Sequence, residues 1–167
     1  MTELRGLLKK LAEAHGVSGY EGEIREIVKA ELEGYVDELK TDKLGNLIAT
    51  KRGKKPSVML AAHLDEIGLM VKHIEDEGFI RFSTLGGWFD QTLLNQRVIL
   101  HTESGGMYGI IGSKPIHAMK EKEREKVIKI DDMFIDVGAQ SKEEVKQLGI
   151  SIGTPITTDR SFVELKN

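Results

Sequence analysis

The chain has 167 residues, 24 Lys and Arg against 27 Asp and Glu, a formal net charge of -3, and no cysteine. Its length and its 40% hydrophobic and 31% charged residues suit a soluble globular chain of one ordinary domain or two small ones. The balanced charge argues against a general nucleic-acid binder, and the lack of cysteine excludes disulfides, thiolate metal sites and a thiol nucleophile. There is no run of about 18 apolar residues to span a membrane, and the acid-bearing start is unlike a signal peptide, so the cytoplasm is the expected compartment.

Leu4, Leu7, Leu8 and Leu11 recur at helical spacing and predict a first helix ending at Gly16. Ser18-Gly19-Tyr20-Glu21 has the spacing of a capping box for a second helix with Ile24, Ile27, Val28 and Leu32 as its buried stripe, closed by Gly34. Both helices are expected to cover one face of a sheet. A short strand over Val36–Lys40, a turn at Asp42–Asn46 and a returning strand over Leu47–Lys51 follow. Val58–Ala62 is a continuous apolar run, read as a central strand buried on both faces. Its C-terminal end delivers His63-Leu64-Asp65-Glu66, where open α/β sheets place their ligands.

From Gly68 the character changes. Strands are predicted at Leu69–Ile74, Phe79–Ser83, Arg97–Thr102, Gly106–Ile111 and Met133–Val137, with hairpin turns at Glu75–Gly78 and Glu103–Gly106. Met119–Lys129 reads as a solvated loop or short helix. Ser141 and Glu144 form a second capping box, and a strand-like tail ends the sequence. The pattern is an α/β start that gives way to a small β-barrel inserted at the end of a central strand.

His63 and Asp65 are the sharpest chemical feature. An imidazole can ligate Zn²⁺ or Co²⁺ through one nitrogen while a carboxylate two residues on holds the other N–H; a solvated His beside an acidic loop is the plainer reading. Glu66 reads as a surface or capping carboxylate. His117, in Pro115-Ile116-His117, either reaches a site or is incidental to a barrel loop, and His15, His73 and His101 look structural or solvated. Asp131, Asp132 and Asp136 invite comparison with a glycosidase pair but fit strand-edge charges equally. Trp88 and Phe89 suit the barrel core or an interface. No glycine spacing makes a dinucleotide or phosphate-loop fingerprint.

Taken in order, Ser18–Gly22, Asp42–Leu47, Met59–Gly68, Leu85–Trp88, Gly109–His117 and Phe134–Ala139 make the chain resemble the M42 metallo-aminopeptidases, whose relatives have also been labelled endoglucanases. The resemblance implies a zinc-peptidase-like α/β catalytic lobe over residues 1–68, an inserted β-barrel dimerisation domain over 69–158, and a return to the lobe over 159–167. It implies a centre of two divalent metals, Zn or Co, with His63 as a metal ligand and Asp65 as the catalytic carboxylate that orients it; His117, on its glycine-bearing loop, is the candidate substrate contact. Peptides are the implied substrates, and the implied assembly is a homodimer that builds a tetrahedral dodecamer. The family's bridging Asp, general-base Glu pair and further ligands do not occur within the 167 residues. The chain therefore resembles the N-terminal half of such an enzyme and is expected to be inactive alone. A non-catalytic oligomerisation module and a glycoside hydrolase are the competing readings.

Overall fold

The structure is a computed structural model that describes residues 2–166. The chain forms two compact units, one running up to Glu66 and resuming at Arg160, the other spanning Ile67–Asp159.

In the first unit, α1 (Thr2–Glu13) and α2 (Gly22–Leu32) precede a two-stranded antiparallel sheet of β1 (Glu38–Thr41) and β2 (Leu47–Thr50). The expected stripe is only partly used. Ile24 is buried, but Leu4 is 63% and Leu8 50% exposed. The stripe of α2 (Ile24, Ile27, Val28 and Leu32) is buried or half-buried and α2 contacts β2, whereas Leu4 and Leu8 of α1 lie open, because a sheet of two short strands is too narrow to receive both helices. The capping box expected at Ser18 is also absent. Glu21 occupies the N-cap of α2 without a side-chain cap, and its carboxylate accepts instead from the Gly19 N–H at 2.7 Å. Val58–Ala62 is not a strand: the run has no regular structure and is open, with Val58, Met59 and Leu60 between 82% and 93% exposed. A strand exists through the hydrogen bonds of its neighbours, and among the described residues none pairs with this run.

The β1–β2 turn is organised by one carboxylate. Asp42 Oδ1 accepts from the N–H groups of Leu44 and Asn46, both at 2.9 Å, and Oδ2 accepts from Asn46 Nδ2 at 2.8 Å. The Asn46 side-chain bond, followed by the backbone bonds, holds the Asp42 pKa below its ordinary 3.8. Since the folded value lies below the unfolded one, the carboxylate favours the folded turn above the unfolded pKa, and that contribution is lost as pH falls through the folded value. Asn46→Ala is expected to move the Asp42 titration, followed by NMR, back up toward 3.8; an unmoved midpoint would exclude the side-chain bond as the main cause.

The second unit is a closed, entirely antiparallel six-stranded barrel. Its strands are β3 (Gly68–Ile74), β4 (Ile80–Leu85), β5 (Arg97–Thr102), β6 (Gly105–Ser113), β7 (Met133–Asp136) and β8 (Pro155–Thr158), in spatial order β3-β4-β7-β6-β5-β8. β8 closes the ring by pairing with both β3 and β5. Alternate residues point inward, so Leu69 and Val71, Val98 and Leu100, and Met133 and Ile135 fill the interior. Gly109 makes room for this filling, since a Cβ there would lie 2.6 Å from Ile135 Cγ2.

Three short helices complete the unit: α3 (Asp90–Leu93), α4 (Glu121–Arg124) and α5 (Lys142–Gln147). The predicted cap at α5 is present, with Ser141 Oγ accepting from the Glu144 N–H, and Val145 is buried. At the β3–β4 hairpin, Gly78 has a φ of +89° and lies so close to Ala139 that a Cβ would meet its carbonyl oxygen at 2.6 Å. Trp88 packs against the core and donates to the Gly68 carbonyl at 3.0 Å, whereas Phe89 is 79% exposed and is not a core residue.

Candidate functional site

The loop Val58–Glu66 ends where Glu66 joins the segment after α1. The Glu66 N–H donates to the Gly16 carbonyl at 2.8 Å, and Val17 and Glu66 form an isolated parallel bridge. The Glu66 carboxylate accepts from the Gly16 N–H at 3.3 Å and pairs with Arg160. Glu66 is thus a structural clamp on the backbone that carries Asp65, two residues from His63.

His63 Nδ1 lies 3.0 Å from both the carbonyl oxygen and the Oδ1 of Asp65. Both atoms are acceptors, so in the neutral ring the proton sits on Nδ1 and Nε2 carries the lone pair. The His63 side chain is 86% exposed, which leaves Nε2 accessible. Ser18 donates its hydroxyl to the other Asp65 oxygen. The carboxylate is therefore gripped from both sides, and Ser18 first, then the bond and charge of His63, hold its pKa below the ordinary value. The result is an imidazole with a fixed tautomer and an exposed lone pair on Nε2, backed by an oriented carboxylate, the arrangement found behind metal-ligating histidines.

The remaining candidates lie elsewhere in the chain. His117 is exposed on a 3-10 turn, Ile116–Ala118, in the barrel unit. Asp131 and Asp132 sit in another 3-10 turn, and Asp136 bonds the Gly138 N–H at 2.8 Å. His101 bonds Thr157 Oγ1 at 2.8 Å, a structural use. Sequence reasoning missed Ser18 as the second holder of Asp65 because its spacing to Glu21 also spells a helix cap. It missed Arg160 because nothing local marks its long-range pairing with Glu66.

The comparisons decide the family. The model of the M42 glutamyl aminopeptidase family matches residues 45–167. The chain belongs to the M42 aminopeptidase family. A lysyl aminopeptidase of Pyrococcus furiosus is 46% identical over 150 residues, covering 89% of this chain and 43% of that protein. Among solved structures, a TET aminopeptidase from a marine sediment archaeon superposes with a TM-score of 0.93 at 42% identity, covering 98% of this chain and 47% of that one. A Pyrococcus horikoshii TET peptidase, described as assembling into a tetrahedron or a large octahedral shell, matches with a TM-score of 0.88 at 36% identity over 98% of this chain and 48% of that one. The chain spans less than half the length of the curated relatives it matches.

Proposed function

We propose that this chain is the N-terminal portion of a dinuclear-metal aminopeptidase that hydrolyses N-terminal residues from peptides. In this reading His63 Nε2 is a ligand of one divalent ion, Zn or Co, and Asp65 is the carboxylate that orients it. The observation that carries the reading is the doubly held Asp65 behind an exposed His63 in a chain of this family.

The donor set supports one part of such a centre. Among the described residues no group of three or more His, Asp or Glu side chains could hold a metal ion, and a catalytic zinc takes about three protein ligands. The chain's own residues therefore do not make up a complete site, and no catalytic step is assigned to them alone. In dinuclear hydrolases the metals polarise the scissile carbonyl and activate water.

The unit that runs up to Glu66 is read as part of a zinc-peptidase-like lobe, and the barrel as an inserted dimerisation domain. A homodimer, and through it a tetrahedral particle, is supported by the likeness to the shell-forming peptidase. His117 is proposed as a substrate contact because it is exposed on the loop leaving β6. Among the described residues no helix is long and apolar enough to cross a membrane, and a cytoplasmic site of action is proposed on that and on the cysteine-free composition.

The test is direct. The homogeneous chain, incubated with Zn²⁺ or Co²⁺ and lysyl- or leucyl-p-nitroanilide, is expected to show no turnover above the metal-only control. Mixing it with the C-terminal portion of an M42 relative is expected to produce turnover that a chelator abolishes. Turnover by the chain alone would overturn the claimed incompetence, and chelator-insensitive cleavage of cellulose would replace the peptidase reading with a glycosidase one.

A further inference from the structure

The outer face of the barrel carries an apolar patch where β5, β6 and β7 run side by side. On β6, Tyr108 is 64% exposed and Ile110 is exposed as well, alternating with the buried Gly109 and Ile111. Ile99 of β5 lies opposite Tyr108, and Phe134 of β7 lies opposite Gly112. The Phe134 ring leans so far over β6 that a Cβ on Gly112 would sit 3.1 Å from it. Cross-strand partners share a face, so these four side chains form one surface, and contiguous apolar surface of this kind marks a contact site.

The charges are arranged about Ile110. The register sets Arg97 of β5 on one side of it and Asp136 of β7 on the other, in one row across three strands. Arg97 holds Asp159 through one nitrogen at 3.1 Å, and its side chain is largely exposed. Asp136 is exposed and accepts from the Gly138 N–H through Oδ1 at 2.8 Å. A guanidinium has five N–H donors and a carboxylate two oxygens, so each group keeps capacity for a second partner.

We infer that this face, in the homodimer proposed above on which the inference rests, pairs with the same face of a second copy. A two-fold interface must be complementary to itself. With the axis running along β6 between the two faces, β5 of each copy lies over β7 of the other. Ile110 then packs on Ile110, and Arg97 meets Asp136 twice. An axis across the strands would instead set Arg97 against Arg97 and Asp136 against Asp136. A partner with one sign of charge would meet a like charge on one flank, whereas a second copy meets an opposite charge on both.

The full chain, without added metal, is followed by sedimentation velocity over a concentration series. A dimer is expected, and Ile110→Asp is expected to raise its Kd at least about tenfold by setting two carboxylates on the axis. Arg97→Glu alone should weaken it by a similar factor, and Arg97→Glu/Asp136→Arg should return it to within about threefold. The chain has no cysteine, so single-cysteine variants give an independent reading. Ile110→Cys should form a disulfide-linked dimer under mild oxidation. Ile152→Cys should not, because the exposed Ile152 adjoins β3, on the far side of the ring from β6. A dimer that survives Ile110→Asp overturns this face and leaves a homodimer standing. A dimer held by the open run Val58–Ala62, lost in Met59→Lys but not in Ile110→Asp, overturns it too. A chain that is monomeric throughout overturns the homodimer along with the face. Barrel amide spectra show whether each variant is folded, and the cysteine pair decides the matter where a charge variant is not. No turnover enters the measurement, so the aminopeptidase reading stands or falls separately.

Discussion

Leu100→Ala is expected to destabilise the barrel unit by about 2–5 kcal/mol, the range found for buried Leu truncations. Leu100 is fully buried in β5, opposite Met107 of β6 and Ile156 of β8. Its Cδ1 also lies 3.2 Å from where a Cβ on Gly109 would be, so it covers the gap that this glycine leaves. The cost sits near the upper part of the range for a geometric reason. Six strands hydrogen-bonded in a closed ring fix the radius of the interior, so the walls cannot move in to fill the cavity. Ile110→Ala is the control. Ile110 is next in register on the outer face of β6 and is 53% exposed, and its truncation is expected to stay within about 0.5 kcal/mol. The readout is the urea midpoint of barrel amide signals, because a global probe would mix the two units. Equal midpoints for the two variants would mean that the barrel interior is not the core described here.

The barrel was legible in the sequence for the same reason that it is stable. Arg97 to Thr102 and Met133 to Asp136 alternate between interior and outside, Leu69 to Ile74 does so up to a bulge between Val71 and His73, and each finds its partners within the same stretch of chain. Glycines with positive φ, such as Gly78 and Gly105, mark the hairpins at the places the pattern indicates. Val58–Ala62 was misread because its composition reports how apolar a segment is and not whether a neighbour is present to pair with it. β8 was seen only as a strand-like tail, since Pro155 and the short run of threonines carry little periodicity. At the site, His63 and Asp65 were legible as a pair two residues apart. Ser18 was not, because a serine three residues before a glutamate has two uses, and the choice between them depends on a carboxylate 47 positions away.

That choice leads to the expectation with the largest effect. In the catalytic domain completed by a C-terminal portion, His63→Ala is expected to remove bound metal and to lower kcat/KM by about a thousandfold or more, corresponding to roughly 4 kcal/mol of barrier. Asp65→Asn keeps an acceptor for the Nδ1 proton but loses the charge, and should weaken metal binding by about 10–100-fold. Ser18→Ala removes the hydroxyl that fixes the far oxygen of Asp65, so its effect should be in the same direction and smaller. Metal content by mass spectrometry, read beside kcat/KM, separates these effects from damage to the peptide site, which would change turnover without changing metal. The chain alone gives an independent check. Because the Ser18 hydroxyl is the first cause of the lowered Asp65 pKa, Ser18→Ala should raise that value toward 3.8 in an NMR titration, with no metal or substrate present. An unchanged Asp65 midpoint would break the link between Ser18 and the histidine. A His63→Ala enzyme that retained its full metal content and turnover would remove this cluster from the active site.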